Sequence, residues 1–538
     1  MTTIGGAIVR YLEARGVPVV FGLPGVHTVE LYRGLAAARI RHVTARHEQG
    51  AGFMADGFAR VSGRAGVAFV ITGPGVTNIL TPMAQARSES VPMLVVSSVN
   101  ETTSLGLGLG HLHELPNQRD VCALVACQSW RVGTAGDLMP ALEDAYRAFQ
   151  AGRPGPMHIE VPLDVLGAPF EEALSEPAPV ARPVAEPALV ERAWRRLAQA
   201  EKPLILAGGG VRWSEAVLRA VAEHLQAPVV QTINARGLMH RHPLAVPASP
   251  SLEAVRGLLR DADAVLAVGT ELGTTDYDIY RDGGQPPFDN LIRVDICREQ
   301  LARHPAEIAL CGEAGAVLAQ LEAGLAATSS AAGSSAAGSS ATDWGAARAA
   351  ETRARARAEL PGDYAHLVDL LETIRDTLPD SILVGDSTQP VYAGNLYYDH
   401  DRAGGWFNSS AGYGALGYAI PAAIGAAFAA PGHGVVSIAG DGGAQFTLPE
   451  LMTAVDEKLP ITFLIWNNGG YREIETSMAE AGVSAVGCDP TPPDFAGIAK
   501  ACGIPFQSCA ATTEALAGAL RSLRPSAGPV MIEVDIRG

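Results

Sequence analysis

The sequence predicts an α/β protein of three doubly wound parallel-sheet domains. Two observations carry that expectation. Short, apolar, β-branched runs recur along the chain, each closed by glycine or polar residues and separated from the next by residues at helical spacing. Two breaks in composition then cut the 538 residues into three such blocks. A chain this long exceeds what one hydrophobic core holds.

The first block, 1–167, carries the strand-like runs "VVFGLPG", "RHVTARHE", "VAFVITGPG" and "VPMLVVSS" with amphipathic helices between them. The first break, "APFEEALSEPAPVARPVAEPALV" (168–190), is proline-rich and acidic, hence an extended linker. The central block, 190–325, offers "KPLILAGGGV", "APVVQT", "DADAVLAVGTELG" and "LIRVDI". Its Gly-Gly-Gly after a strand hints at a nucleotide fold. It lacks the Gly-x-Gly-x-x-Gly spacing and ribose-binding acid of a dinucleotide site, so that reading is not favoured. The second break, "AATSSAAGSSAAGSSAT" (326–342), is low in complexity. The third block, 345–538, repeats the first block's plan with "SILVGDS", "VVSIAGDG", "ITFLIWNN" and "PVMIEVD", without repeating its sequence.

Composition narrows the function. Hydrophobic content of 48% and charged content of 18% describe a well-buried globular chain. A net charge of −17 argues against nucleic acid or an anionic membrane as partner. The seven cysteines form no Cys-x-x-Cys, which argues against zinc and a disulfide framework. "MTTIGGAIVRYLEARG" has neither the basic start nor the apolar core of a signal peptide, and the expected home is the cytoplasm.

The chemistry is legible in "VVSIAGDGGAQFTLPELMTAVDEKLPITFLIWNN" (435–468). Two buried strands flank a helix, so the crossover is parallel and both strands end at one sheet edge. Asp441 and Asn467–Asn468 punctuate those two ends, where ligands of open α/β sheets bind. Gly440, Gly442 and Gly443 let backbone approach a ligand closely. Asp441 and Asn468 offer oxygen ligands only, which suits magnesium that also holds phosphate oxygens. Gly-Asp-Gly alone is a common turn; the asparagine pair one helix later decides against that reading.

This stretch resembles the thiamine-diphosphate motif of the acetolactate synthase and pyruvate decarboxylase superfamily. The resemblance implies that Asp441, the Asn468 side chain and the Gly470 carbonyl hold Mg2+, which holds the cofactor diphosphate. "RHEQGAGFMADGFAR" and "ITGPGVTN" (71–78) resemble the same superfamily's pyrimidine-binding domain. There the residue matching Glu48 hydrogen-bonds the cofactor's pyrimidine nitrogen and assists loss of the thiazolium C2 proton. By sequence alone, Glu48 reads only as a favourable charge at a helix start. In "FNSSAGYGALGYAIPAAIGAA" (407–427), Gly414 matches the carbonyl that accepts from the exocyclic amine, and Leu416 matches the apolar wedge under the bent cofactor. Thr388 and Gln389 in "GDSTQP" match contacts to the diphosphate. Glu48 and Asp441 fall in different domains, which in relatives come from different subunits. A homodimer is the implied minimum and a homotetramer is expected. Some relatives carry FAD in the central domain and others carry none; FAD is not expected here.

The loop "GLGLGHLHELPNQRD" (106–120) selects the reaction. Acetolactate synthases have a Phe-Gln-Glu segment here, and His113 takes the place of its glutamine. Pyruvate decarboxylases use a histidine pair in this region for proton transfer, so His111 and His113 are the candidate acids. "FGLPGVHTVELYRGL" (21–35), "LHELPNQ", "GTELGTTDYDIY", "VGDSTQPVYAGN" and "NNGGYREIETSM" resemble bacterial 5-guanidino-2-oxopentanoate decarboxylases of the arginine transaminase pathway. The expected reaction is decarboxylation of that 2-oxo acid to 4-guanidinobutanal; an acetolactate synthase-like carboligase is the alternative. A guanidinium tail calls for a carboxylate fork. Glu473, Glu475 and Glu114 are the candidates, with His27 a further substrate candidate. Asp276 and Asp278 are more remote and read as structural. A catalytic glutamate of pyruvate decarboxylases would fall on Ile474, so that role does not carry over.

Overall fold

The computed structural model describes residues 2–171, 180–277, 290–331 and 344–536. Asp278 and most of the Ala/Ser-rich stretch lie outside the described residues. Three six-stranded sheets, all parallel, are seen among them. The N-terminal sheet runs, in spatial order, Arg41–Thr44, Val19–Gly22, Gly66–Val70, Met93–Val99, Pro156–Pro162 and Gln128–Arg131. Numbered along the chain, that order is 2-1-3-4-6-5. The C-terminal sheet has the same order: Trp406–Asn408, Ile382–Gly385, Val435–Gly440, Ile461–Asn467, Val530–Asp535 and Phe506–Ala510. The two outer blocks therefore share a topology that their sequences do not announce. The central sheet is ordered 3-2-1-4-5-6, from Ala245–Val246 at one edge to Ile308–Cys311 at the other.

In a 2-1-3-4 sheet the crossovers leave in opposite directions between strands 1 and 3. That divergence opens a crevice at their carboxyl ends. The N-terminal crevice lies between the turns after Gly22 and Val70, and the C-terminal one between the turns after Gly385 and Gly440.

The outer domains join through two helices rich in small residues, Glu48–Ser62 and Ala419–Ala429. The first ends at Gly63, whose φ of 69° supplies the left-handed cap. Their backbones nearly touch: a Cβ on Gly57 would lie 2.0 Å from the Ala422 carbonyl oxygen. We expect Gly57→Ala to destabilise the chain by about 1–3 kcal/mol, because backbone cannot yield as a side chain does. Gly518→Ala is the control, since nothing lies within 4 Å of its Cβ. Its gain should be at most about 1 kcal/mol. A thermal melt in which Gly57→Ala matches wild type would refute the packing argument.

A buried polar network ties all three domains. Arg60 Nε donates to Asp56 Oδ1 at 2.7 Å and Arg60 lies 3.6 Å from Glu89. Asn234 of the central domain donates to Glu89 at 2.6 Å, and the Tyr418 hydroxyl donates to Asp56. Each charge has an opposite partner, as burial demands.

At the carboxyl edge of the central sheet is a cavity of about 290 Å³ bordered by Gly209, Gly210, Arg212, Thr232 and Asp295. The Gly-Gly-Gly run serves close packing of two turns here: a Cβ on Gly208 would lie 2.2 Å from the Gly269 carbonyl oxygen. Thr232 follows the second strand, where a ribose-binding acid would stand. Asp276 accepts from the Ile233 N–H at 3.0 Å, and burial pushes its carboxyl up to about 7. No helix among the described residues is long and apolar enough to cross a membrane.

Candidate active site

The N-terminal crevice gathers three of the expected residues around the turn Ile71–Pro74. Gly73 has φ 66°, and a Cβ there would lie 2.4 Å from the His113 carbonyl oxygen, so the loop carrying His113 rests on this turn. A Cβ on Gly75 would lie 3.4 Å from Glu48 Oε1. His27 enters from the turn after the neighbouring strand. The His27 and His113 rings meet edge to face with centroids 5.1 Å apart. The Nδ1 atom of each is buried without a hydrogen-bond partner. Burial, and then the charge on His113, hold the His27 imidazole below its usual range.

Of the two candidate acids, His113 meets the His27 ring and His111 does not. His111 is exposed, and its backbone N–H donates to Glu114. The chain turns between them, with the Glu114 N–H donating to the His111 carbonyl at 3.1 Å and His113 at φ 62°, so the shared face that i and i+2 have in extended chain is lost. His27, distant in sequence, fills the place.

Glu48 opens the helix Glu48–Ser62. Its Oε2 accepts from Asn78 Nδ2 at 2.9 Å. Glu450, from the C-terminal domain, accepts the N–H groups of Arg46 (2.9 Å) and His47 (3.0 Å) and so fixes the helix entry. Gln118 steadies the opposite wall: its Oε1 accepts from Thr72 Oγ1 at 2.7 Å and from the Gly73 N–H at 3.0 Å. Asn78, Gln118 and Glu450 were not singled out by sequence. Asn78 and Gln118 stand within quoted motifs, but only their contacts show what they hold.

The C-terminal crevice assembles the metal candidates. The asparagine pair divides its work. Asn467 turns inward to donate to Glu533 at 2.7 Å, while Asn468 turns toward Asp441. The Asn468 N–H donates to Asp441 Oδ1 at 3.3 Å, leaving Asp441 Oδ2 buried and unpartnered. Burial pushes that carboxyl above its usual range. The Asn468 side-chain oxygen lies 3.0 Å from Asp441 Oδ1 and 2.8 Å from the Gly470 carbonyl oxygen. Three oxygens this close with no hydrogen between them repel unless a cation sits among them. Magnesium bound octahedrally at about 2.0–2.1 Å puts adjacent oxygens about 3 Å apart. The residues therefore fit Mg2+. Gly470 reaches its place with φ 145°, and a Cβ there would lie 2.4 Å from the Cys488 carbonyl oxygen.

Around this edge, Thr388 is buried at the start of the helix Gln389–Leu396, with Oγ1 3.0 Å from where a Gly440 Cβ would be. Gly442 and Gly443 are buried, against Tyr471 and Asp386 respectively. Asp386, unremarked in the sequence, is fully buried and pushed up to about 6 by burial. It accepts the N–H groups of Ser387 and Ala419, and so anchors the segment bearing Gly414 and Leu416. Gly414 is exposed at φ 75°, and Leu416 is half-buried.

The three candidate carboxylates separate cleanly. Glu114 is occupied by the N–H groups of Leu109, Gly110 and His111. Glu475 pairs with Arg472 at 2.6 Å, and Arg472 also reaches Asp489 at 2.9 Å. Glu473 is pushed above the usual range by burial, against hydrogen bonds from Gln389 and Tyr364; Asp363 and Glu480 act on it next. None of those four is a cation.

The comparisons agree with this architecture. Residues 2–124, 190–321 and 386–534 match the N-terminal TPP-binding, central and C-terminal TPP-binding domains of thiamine pyrophosphate enzymes. A Pseudomonas aeruginosa protein described as "probable 2-ketoarginine decarboxylase AruI" is 42% identical, over 93% of this chain and 88% of its own. The acetolactate synthase large subunit of Corynebacterium glutamicum is 33% identical over 86% of this chain and 74% of its own. Acetolactate synthase isozyme 1 large subunit of Escherichia coli is 30% identical over 98% and 93%.

Proposed function

This chain belongs to the thiamine pyrophosphate enzymes, and from that premise we propose that it decarboxylates 5-guanidino-2-oxopentanoate, releasing 4-guanidinobutanal and carbon dioxide. The observation that carries the substrate reading is Glu473: a half-buried carboxylate, beside the cofactor half-site, with no cation among the groups acting most strongly on it. A guanidinium would supply that charge. The relative's name supports the same acid, since 2-ketoarginine is 5-guanidino-2-oxopentanoate.

Thiamine diphosphate, when bound, supplies the carbon nucleophile and the electron sink. The rest falls to the protein. Asp441, Asn468 and the Gly470 carbonyl would hold Mg2+ and through it the diphosphate. Thr388, at a helix N-terminus, would face the diphosphate oxygens. The Gly414 carbonyl would accept from the cofactor amine, with Leu416 beneath. Glu48, oriented by Asn78, would hold a proton at its free Oε1 against the pyrimidine nitrogen. His113, backed by His27, would deliver the proton that completes the aldehyde; a glutamine could not. The exposed apolar residues Leu107, Leu109 and Leu112 flank the histidine loop, and Tyr413, Phe446 and Ile474 flank the diphosphate half-site. They support a homodimer or larger assembly that covers both.

The test is a panel of 2-oxo acids. The guanidino acid should exceed 2-oxopentanoate in kcat/KM by about a hundredfold or more, because the acid without a guanidinium leaves the half-buried Glu473 carboxylate without a cation. Glu473→Gln should erase that preference and spare the slow turnover of 2-oxopentanoate. The second reading, a carboligase, draws on the acetolactate synthase relatives. It wins if pyruvate gives acetolactate at a competitive rate while the guanidino acid is inert.

A further inference from the structure

Asn468 has two side-chain orientations of very different consequence. As it stands, its oxygen joins those of Asp441 and Gly470, and its nitrogen donates to Gln389 Oε1 at 3.2 Å. Turned by half a rotation, its nitrogen would donate to Asp441 Oδ1 (3.0 Å) and to the Gly470 carbonyl (2.8 Å). That alternative satisfies every neighbour except Gln389, and it places two N–H bonds where a cation would sit. The isolated amide gains by turning away from metal binding.

Gln389 decides between the two, and Trp466 decides for Gln389. The indole N–H of Trp466, the penultimate residue of the strand Ile461–Asn467, donates to Gln389 Oε1 at 3.3 Å. An indole nitrogen can only donate. The atom facing it must therefore be the Gln389 oxygen, and the Gln389 nitrogen faces the other way, where Glu473 accepts. With its oxygen pinned, Gln389 can only accept from Asn468, so the Asn468 nitrogen turns to it and the Asn468 oxygen turns to the metal position. Trp466 is buried, so water does not compete for its N–H.

We propose that Trp466 and Gln389 are positioning residues that set the amide orientation of Asn468 for metal binding. This rests on the magnesium site proposed above. It assigns Gln389 a task other than direct contact with the diphosphate, because its oxygen already accepts two hydrogen bonds.

The test reads metal, not turnover. Mn2+ is titrated into the full-length protein with saturating thiamine diphosphate, and free Mn2+ is followed by electron paramagnetic resonance. Trp466→Phe and Gln389→Leu should each weaken Mn2+ binding about tenfold or more, the usual scale for loss of a ligand's supporting hydrogen bond. The same two substitutions are then made in an Asn468→Asp background. A carboxylate presents oxygen in both orientations, so there the loss should vanish, with binding equal or tighter. Equal losses in both backgrounds would mean a merely structural role and would overturn the proposal, as would unchanged affinity in the wild-type background. If the unsubstituted protein takes up no Mn2+ with the cofactor, the magnesium site itself falls.

Discussion

Glu48→Gln should leave thiamine diphosphate binding close to wild type and lower turnover by about 10²–10⁴-fold, the range for a lost acid–base group. The geometry separates the two effects. Asn78 donates to Glu48 Oε2, and a glutamine oxygen can accept that same bond. The helix entry, held by Glu450 at Arg46 and His47, is untouched. What is lost is the ability of the second oxygen to give and take a proton. Exchange of the cofactor's C2 proton, followed by NMR, should slow in parallel with turnover. Unchanged exchange would reduce Glu48 to a favourable charge at a helix start.

Asp441→Ala should abolish tight binding of thiamine diphosphate. The substitution removes the one charged oxygen among the three that converge. Dialysis of the wild type against a chelator should release the cofactor, and added Mg2+ should restore it. Stoichiometric cofactor on Asp441→Ala would show that the diphosphate is held some other way.

Some of the site was legible because its geometry is local. A strand, a helix and a parallel strand bring Asp441 and Asn468 to one sheet edge wherever the rest of the chain goes. The place of Glu48, opening a helix that follows a strand, was legible for the same reason, while the role expected of it came from the resemblance. The fold class followed from short apolar runs with glycine at their ends, a pattern that buried parallel strands require.

Choices among equivalent residues were not legible. Three glutamates could have faced a guanidinium, but backbone N–H groups occupy Glu114 and Arg472 occupies Glu475, and neither contact is visible as a motif. His113 had a histidine two residues away and found its ring partner in His27, across two strands of the sheet. Asp386 and Gln118 looked like ordinary loop residues until the segments they anchor folded over them.

Taken alone, the sequence determined the identities of the groups at each strand end, since strand, turn and helix order are local properties of the chain, and its motifs pointed by resemblance to the cofactor class. The tertiary structure decided which of those groups meet. It paired His27 with His113, set no cation among the groups acting most strongly on Glu473 and turned the Asn468 oxygen toward Asp441. Those outcomes depend on hydrogen bonds and charges between residues far apart in the chain, whose positions exist only once the sheets have closed.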